Sequence, residues 1–173
     1  MLCPAFANEG LINSPLGFVR AAVDLVRAEG GLFIADEVQG GFGRTGKWWS
    51  HQWEGVVPDI VTLGKPMGNG YPLAGVVSSA ELVNEFSKWG MYFNTFAGGP
   101  VACAAGAAVM DVMEQERHID RAAEVGDYLA QKLRSLQEKY EIIGDVRHKG
   151  LIFAIELVTN RTGKTPATKE AGK

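Results

Sequence analysis

Short apolar runs, bounded by turn residues, alternate with an amphipathic stretch along the first hundred residues. Residues 32–35 and 60–63 are four-residue runs of apolar or β-branched side chains, and each predicts a buried strand. Residues 16–29 carry apolar side chains on one helical face and are followed by Gly30-Gly31, a typical helix end. Helix and strand in alternation predict an α/β fold. Two further elements are predicted in this half: a strand at 74–78 and a helix at 80–87.

After residue 100 the pattern becomes mainly helical. Residues 101–113 are rich in alanine and predict a helix that packs closely against a neighbour. In residues 118–140 apolar side chains recur at alternating spacings of three and four, which predicts a helix with one apolar face. A coiled coil shares this spacing, but Gly126 within the apolar face and the short length favour a helix packed on a sheet. Strands are predicted at 142–146 and 151–158, whereas the polar residues 160–173 are expected to be loose.

Composition excludes several classes of protein. With 46% hydrophobic and 21% charged residues, the chain resembles an ordinary globular protein. A net charge of −3 without a basic run argues against nucleic-acid and anionic-membrane partners, and no apolar stretch approaches the roughly 18 residues that span a bilayer. Cys3 and Cys103 lack metal-ligand spacing and no signal-peptide pattern is present, so we expect reduced thiols in a cytoplasmic protein. The three scattered histidines predict no metal site.

Two charged residues follow the predicted strands. Asp36 comes directly after the run at 32–35, and Lys65 comes two residues after Leu63. If the two strands are neighbours, both side chains face the crevice in which open α/β sheets bind ligands. Pyridoxal 5′-phosphate requires such a pair: a lysine for its aldehyde, and a carboxylate that keeps its ring nitrogen protonated. A solvated loop lysine and a turn-capping carboxylate are the alternatives that this spacing leaves open.

Several motifs in a fixed order resemble one family. These motifs are Asp36-Glu37-Val38-Gln39, residues 41–46 (GFGRTG), residues 58–70 (PDIVTLGKPMGNG), residues 93–96 (FNTF) and residues 144–147 (GDVR). Together they closely resemble the class III aminotransferases, which have the type I fold of pyridoxal-phosphate enzymes. The resemblance extends from about residue 4 to about residue 168.

The resemblance implies a role for five residues. Lys65 resembles the lysine that forms the internal aldimine, and Asp36 the partner of the pyridine nitrogen. Val38 resembles the residue that packs on one face of the cofactor ring, and Gln39 a hydrogen-bond partner near its phenolic oxygen. Thr95 resembles the residue that reaches the cofactor phosphate of the opposite subunit, which implies a homodimer with its site at the interface. Glu37 receives no specific role, beyond a turn or supporting carboxylate.

The chain also departs from the family pattern. Asn8 stands where many relatives have a glutamate that in some members helps the site to alternate between two amino donors. His148-Lys149 replaces a pair that usually includes glycine, and Ala97-Gly98-Gly99-Pro100 replaces the more usual Gly-Gly-Asn-Pro. The change at Asn8 argues against transferring the donor of a relative to this chain by analogy, whereas the other two changes leave the cofactor positions untouched.

Family members are more than twice as long as these 173 residues. We therefore expect an internal fragment with an incomplete type I fold. Residues 1–113 would form the carboxyl-terminal part of the large cofactor-binding domain, and residues 114–173 the start of a small α+β domain. The glycine-rich phosphate loop, the aromatic residue that stacks on the ring and the arginine that commonly binds the substrate carboxylate are expected outside the chain.

Two functions from different classes remain open at this stage. The parent protein would be a transaminase that moves an amino group from an amine or amino acid to a 2-oxo acid through Lys65. A lyase or an aminomutase would use the same cofactor chemistry, and fold alone does not distinguish them. Alternatively, the chain by itself is a catalytically silent fragment whose surfaces only pack or dimerise.

Overall fold

Two three-stranded sheets and five helices make up the computed structural model, which describes residues 1–12 and 14–172. The helices are α1 (Phe18–Ala28), α2 (Ala80–Lys88), α3 (Pro100–Gln115), α4 (His118–Lys139) and α5 (Thr168–Ala171). The strands are β1 (Ile34–Asp36), β2 (Ile60–Leu63), β3 (Gly75–Ser78), β4 (Ile143–Lys149), β5 (Ile152–Asn160) and β6 (Thr165–Pro166). Short 3₁₀ turns occupy Ser50–Trp53 and Lys65–Gly68. The predicted α/β class is confirmed.

The first sheet brings together the two strands that end in charged residues. β1 and β2 are parallel neighbours, with Ile34 opposite Ile60 and Asp36 opposite Thr62. β3 is antiparallel to β2 on its other side. Leu2 forms a parallel bridge with β1, so the amino-terminal segment covers the remaining edge of that strand.

A small hydrophobic core lies between α1 and this sheet. Val19 and Val23, one helical turn apart, are buried against Phe33, Ala35 and Val56. Because side chains at i and i+4 share one helical face, α1 can bury both valines on the sheet while its other faces stay exposed.

The second sheet has the order β4-β5-β6 and packs against α4. The expectation that residues 160–173 are loose is wrong for the part of the chain that the structure describes; Lys173 lies outside it. Pro166 pairs with Val158, the amide of Ala167 donates to the carbonyl of Leu157 at 2.9 Å, and Ala167 is buried. Backbone pairing with the edge of β5 therefore orders a segment whose side chains are mostly polar.

Three glycines pack the β4–β5 turn against the first half of the chain on one side and against α4 on the other. Gly150, in the β4–β5 turn, lies against the backbone of Gly46 and also against Gly126 of α4, and a Cβ atom on either Gly126 or Gly150 would overlap backbone atoms of its neighbour. The amide of Leu151 donates to the carbonyl of Arg44 at 2.8 Å. This backbone contact fixes the β4–β5 turn relative to the loop at residues 40–46.

The predicted domain boundary, after residue 113, falls in the last turn of α3 and stays a prediction. Among the helices in the described part of the chain, none is long and apolar enough to cross a membrane.

Candidate active site

Asp36 and Lys65 lie at the same edge of the first sheet. Asp36 ends β1, and Lys65 follows β2 after Gly64. Because the two strands are parallel neighbours, their carboxyl ends meet there, as the sequence predicts.

The backbone of Lys65 is strained. Its φ of +30° lies in the left-handed region, which costs a residue with a side chain about 1–2 kcal/mol. The 3₁₀ turn Lys65–Gly68 holds this conformation, with the amide of Met67 donating to the carbonyl of Gly64 at 2.9 Å. Strain of this kind often occurs where a side chain must be aimed at a ligand.

A cavity of about 640 Å³ opens beside Lys65. It falls in the usual size range of small-molecule sites. Arg44 and Lys65 are the basic residues among its lining, and within the described residues no acidic side chain lines it. The remaining lining residues are Ala7, Val38, Gln39, Pro66, Asn69, Gly70, Leu151, Ile152 and Phe153.

The Asp36 carboxylate is half-buried and partly engaged. Its Oδ1 accepts hydrogen bonds from the amide of Val38 at 3.1 Å and from the hydroxyl of Thr62 at 3.5 Å. Within the described residues, Oδ2 accepts no hydrogen bond. One oxygen therefore orients the side chain, while the other can accept from a ligand.

Val38 and Gln39 line the cavity together with Lys65. The methyl carbons of Val38 lie 3.7–3.8 Å from the place that a Cβ atom on Gly64 would take, so this valine packs over the end of β2. The side-chain amide of Gln39 donates to Oδ1 of Asn8 at 2.5 Å. The residue that departs from the family pattern, Asn8, thus contacts a predicted cofactor residue directly.

The sequence missed the role of Glu37, whose side chain is fully buried. Its Oε2 accepts from the amide and the hydroxyl of Ser50, both at 2.8 Å. Its Oε1 accepts from the amide of His51 at 2.9 Å and lies 2.8 Å from Nδ1 of the same residue. Burial alone would raise the pKa of Glu37, but the hydrogen bonds from His51 and Ser50 outweigh it and hold that pKa below its ordinary value. No local motif signals these partners, which follow 13 and 14 residues later.

Thr95 lies apart from the other predicted site residues. It is exposed and does not line the cavity beside Lys65. The resemblance assigns it to the site of an opposite subunit, so its role stays a prediction.

The histidines serve other purposes in the structure. Besides the pairing of His51 with Glu37, His148 lies 3.1 Å from Asp127 and stacks on Phe153, with ring centroids 5.6 Å apart. Across residues 1–12 and 14–172, no group of three or more potential ligands could hold a metal ion.

Comparison with known proteins settles the family. The model of the family described as aminotransferase class-III matches residues 1–173. The chain belongs to the class III aminotransferases. This family uses pyridoxal phosphate, and the resemblance read from the sequence motifs is confirmed.

Two curated relatives cover almost all of the chain. It is 51% identical over 170 residues to alanine–glyoxylate aminotransferase 2 homolog 2, mitochondrial, of Arabidopsis thaliana, which covers 98% of this chain and 35% of that protein. It is 45% identical over 168 residues to alanine–glyoxylate aminotransferase 2, mitochondrial, of Homo sapiens, with 96% and 33% covered. The chain therefore spans about a third of the length of these relatives.

Solved structures give the same fold. A phospholyase from Arthrobacter, in complex with phosphoethanolamine, has a TM-score of 0.90 and 45% identity, with 95% of this chain and 39% of that chain covered. A taurine:2-oxoglutarate aminotransferase from Bifidobacterium kashiwanohense, in complex with pyridoxal phosphate and glutamate, has a TM-score of 0.85 and 34% identity, with 92% and 36% covered. The chain has part of the type I fold of pyridoxal-phosphate enzymes.

The expected cytoplasmic location is wrong. The two curated relatives are mitochondrial by name, which contradicts it. Cys3 and Cys103 are free thiols, but free thiols do not distinguish one reducing compartment from another.

Proposed function

We propose that this chain forms the lysine-bearing part of a pyridoxal-phosphate-dependent transaminase. The observation that carries the proposal is the placement of Asp36 and Lys65 at one sheet edge, beside a cavity that Lys65 itself lines. The names of the two curated relatives suggest alanine as the amino donor and glyoxylate as the 2-oxo acid acceptor.

The side chains around the cavity fit pyridoxal phosphate. Lys65 offers an amine for covalent attachment. Asp36 does not itself line the cavity, but it lies at the same edge of the sheet, and its second oxygen is available to a protonated ring nitrogen. Val38 offers an apolar surface for the ring, and Gln39 an amide for a ring oxygen. When bound, the cofactor supplies an electron-accepting ring.

Lys65 and Asp36 would divide the work of proton handling. Once the substrate amine has displaced Lys65, the freed amine of Lys65 would act first as a base and then as an acid. It would remove a proton from the substrate carbon that bears the amino group and later deliver a proton. Asp36, held by Val38 and Thr62, keeps a proton on the ring nitrogen through its negative charge. Leu151 and Phe153 add apolar side chains to the lining of the cavity.

We further propose that the working unit is a homodimer. Large aromatic side chains between residues 86 and 96 are exposed; these are Phe86, Trp89, Tyr92, Phe93 and Phe96. An exposed apolar surface of this extent is typical of a protein interface. Thr95 lies within it, where it could contribute to the site of a second copy.

A second candidate function is β-elimination from a phosphorylated amine. The similarity to a phospholyase solved with phosphoethanolamine favours it, and so do the two basic residues and the absence of acidic ones among the described lining of the cavity. The same proton removal by Lys65 would then lead to the loss of phosphate instead of amino transfer.

One set of assays tests both candidates. A protein of full family length that carries this segment is given either alanine with glyoxylate or phosphoethanolamine, and the formation of pyruvate and of inorganic phosphate is followed. Pyruvate supports transamination, whereas phosphate release supports elimination. Borohydride reduction followed by peptide mapping would place the cofactor on Lys65; labelling of Lys47 or Lys149 instead would refute the assignment.

The isolated 173-residue chain tests the silent-fragment alternative. Expressed alone, it is expected to retain the cofactor weakly and to show no turnover, because it spans only about a third of the length of its curated relatives. A soluble, cofactor-loaded preparation with turnover would contradict this expectation.

A further inference from the structure

Glu37 directly follows Asp36 but points away from the cavity, into the interior. Its side chain is 0% exposed and it does not line the cavity beside Lys65. Glu37 takes no part in the proton handling proposed for Lys65 and Asp36. A fully buried carboxylate is costly unless all of its hydrogen-bonding capacity is satisfied, so the presence of Glu37 here needs a structural explanation.

The two backbone amides that face Glu37 require a carboxylate. Each of its two oxygens accepts from one backbone amide, that of Ser50 or that of His51, and each also meets one side-chain group of the same residue. A backbone amide can only donate. A glutamine side chain would therefore place its NH₂ group against one of these two amides, whichever way it is turned.

The backbone of Glu37 is fixed at the same time. Its amide donates to the carbonyl of Thr62 on β2 at 3.0 Å, and its carbonyl accepts from the amide of Gly41 at 2.9 Å. The latter bond closes a tight turn, and the two residues inside this turn that face the cavity are Val38 and Gln39.

The turn is also packed against the segment that Glu37 binds. A Cβ atom on Gly40 would overlap the side chain of Ser50, and one on Gly41 would contact the ring of Trp49 and the carbonyl of Glu37. The side chain of Glu37 therefore hydrogen-bonds Ser50 and His51, and the backbones of Gly40 and Gly41 pack against Ser50 and Trp49 of the same segment. Moving this segment would move Val38 and Gln39.

We propose that Glu37 is a positioning residue for the cofactor site: its buried carboxylate clamps residues 36–41 to residues 50 and 51 and thereby sets the places of Asp36, Val38 and Gln39. This inference rests on the proposed function, because it assumes that pyridoxal phosphate binds beside Lys65. It adds a residue that contacts neither the cofactor nor the substrate and acts through the turn.

The experiment compares two carboxylates that both accept from backbone amides. Glu37→Gln is made in the protein of full family length, with Asp59→Asn as the matched control. Asp59 accepts from the amide of Phe33 at 2.7 Å and pairs with Arg27 at 3.0 Å, away from the cavity. Both variants lower stability, so the readouts are taken well below their unfolding temperatures: pyridoxal-phosphate affinity by titration, and the visible circular dichroism of the bound cofactor.

Glu37→Gln is expected to weaken cofactor affinity by about tenfold or more and to change the visible dichroic band, whereas Asp59→Asn changes neither. Unchanged affinity and an unchanged band in a destabilised Glu37→Gln protein would overturn the proposal and leave Glu37 a role in stability alone. Failure of the unsubstituted protein to bind the cofactor at Lys65 would instead overturn the proposed function, and this inference with it.

If Glu37→Gln does not fold, Ser50→Ala tests the positioning role of Glu37 instead. It removes one side-chain donor from Oε2 and leaves both backbone amides paired. The same direction of change, at about two- to fivefold in affinity, supports the positioning role. Affinity equal to that of the unsubstituted protein overturns it.

Discussion

Residues 36–41 and residues 89–99 both include predicted cofactor contacts, but they are built in opposite ways. In the first segment Glu37 is fully buried, and hydrogen bonds reach β2 and residues 50 and 51. In the second, Trp89, Met91 and Phe96 are 88%, 95% and 89% exposed. The hydrogen bonds that the structure gives this second segment are local, such as those from the amides of Phe96 and Ala97 to Asn94.

The difference in burial between the two segments indicates which predicted cofactor residues are held in place by other residues of this chain. Asp36, Val38 and Gln39 each make contacts with other described residues of the chain, which hold their side chains in place. Thr95 lies on a surface whose large apolar side chains are mostly exposed, although the rings of Phe86 and Tyr92 contact each other. Preorganised groups suit chemistry, whereas an uncovered apolar surface suits assembly.

The largest effect is expected from Lys65→Ala. Loss of the amine removes both the attachment point and the proton carrier, so transamination by the protein of full family length is expected to fall by about 1,000-fold or more. The rate of pyruvate formation from alanine and glyoxylate measures it. Lys47→Ala is the matched control, since Lys47 lies over the ring of Trp53, 4.7 Å from its centre, and does not line the cavity. Activity of Lys65→Ala within about tenfold of the control would be incompatible with the proposed role.

Asp36→Asn is expected to have the next largest effect. Asparagine keeps an oxygen for the amide of Val38 but loses the charge that favours a protonated ring nitrogen, so turnover is expected to fall by about 100-fold while the cofactor remains attached. Single-turnover kinetics measure the proton-removal step directly. If Asp36→Asn removes the proton as fast as the unsubstituted protein, Asp36 has no role in catalysis and only caps the turn.

Acid is expected to weaken the ordered segment. The pKa of Glu37 is lowered on folding by His51 and Ser50 against the opposing effect of burial, so its contribution to stability is present above the ordinary pKa of 4.5. The contribution is lost as the pH falls from that value through the lowered pKa. Denaturant midpoints between pH 7 and pH 3 are expected to fall less steeply in Glu37→Gln, which is also less stable by about 3 kcal/mol at pH 7. Parallel pH profiles in both proteins would contradict the lowered pKa.

The smallest effect is expected at the exposed segment. Thr95→Val removes one hydroxyl and is expected to weaken cofactor affinity by about fivefold without changing stability, since its side chain is exposed in one copy. Equilibrium titration with the cofactor measures it.

Mixed dimers sharpen this last test. If Thr95 serves the opposite subunit, a dimer with Lys65→Ala on one chain and Thr95→Val on the other keeps one intact site. A dimer that carries both substitutions on the same chain leaves its only lysine-bearing site without the hydroxyl. Equal cofactor affinity in the two arrangements would show that Thr95 does not act across an interface.

Local signals explain which features the sequence predicts well. The strand predicted at 60–63 is Ile60–Leu63 in the structure, because Pro58-Asp59 and Gly64 bound it on both sides. The strand predicted at 32–35 instead occupies Ile34–Asp36, because its pairing with Leu2 and β2 continues through Asp36. Lys65 and Asp36 are placed correctly by the rule that parallel strands share an edge.

Features that depend on distant partners are not predicted. The role of Glu37 depends on Ser50 and His51, across a loop with no regular period. The order of residues 165–171 depends on an open edge of β5, which no local pattern in those residues reveals. Burial of Ala167 in particular is a tertiary effect that composition hides.

The contact among Gly46, Gly126 and Gly150 has a consequence for changing what the cavity accepts. Leu151, Ile152 and Phe153 form one wall of that cavity and follow Gly150 directly along the chain. The backbone of Gly150 already contacts the backbones of Gly46 and Gly126, so a side chain on Gly126 or Gly150 would clash with backbone atoms. Substitution at these glycines therefore cannot move residues 151–153 by a small amount. The size of ligand that the cavity accepts must therefore be changed through the side chains of residues 151–153, while their backbone stays in place.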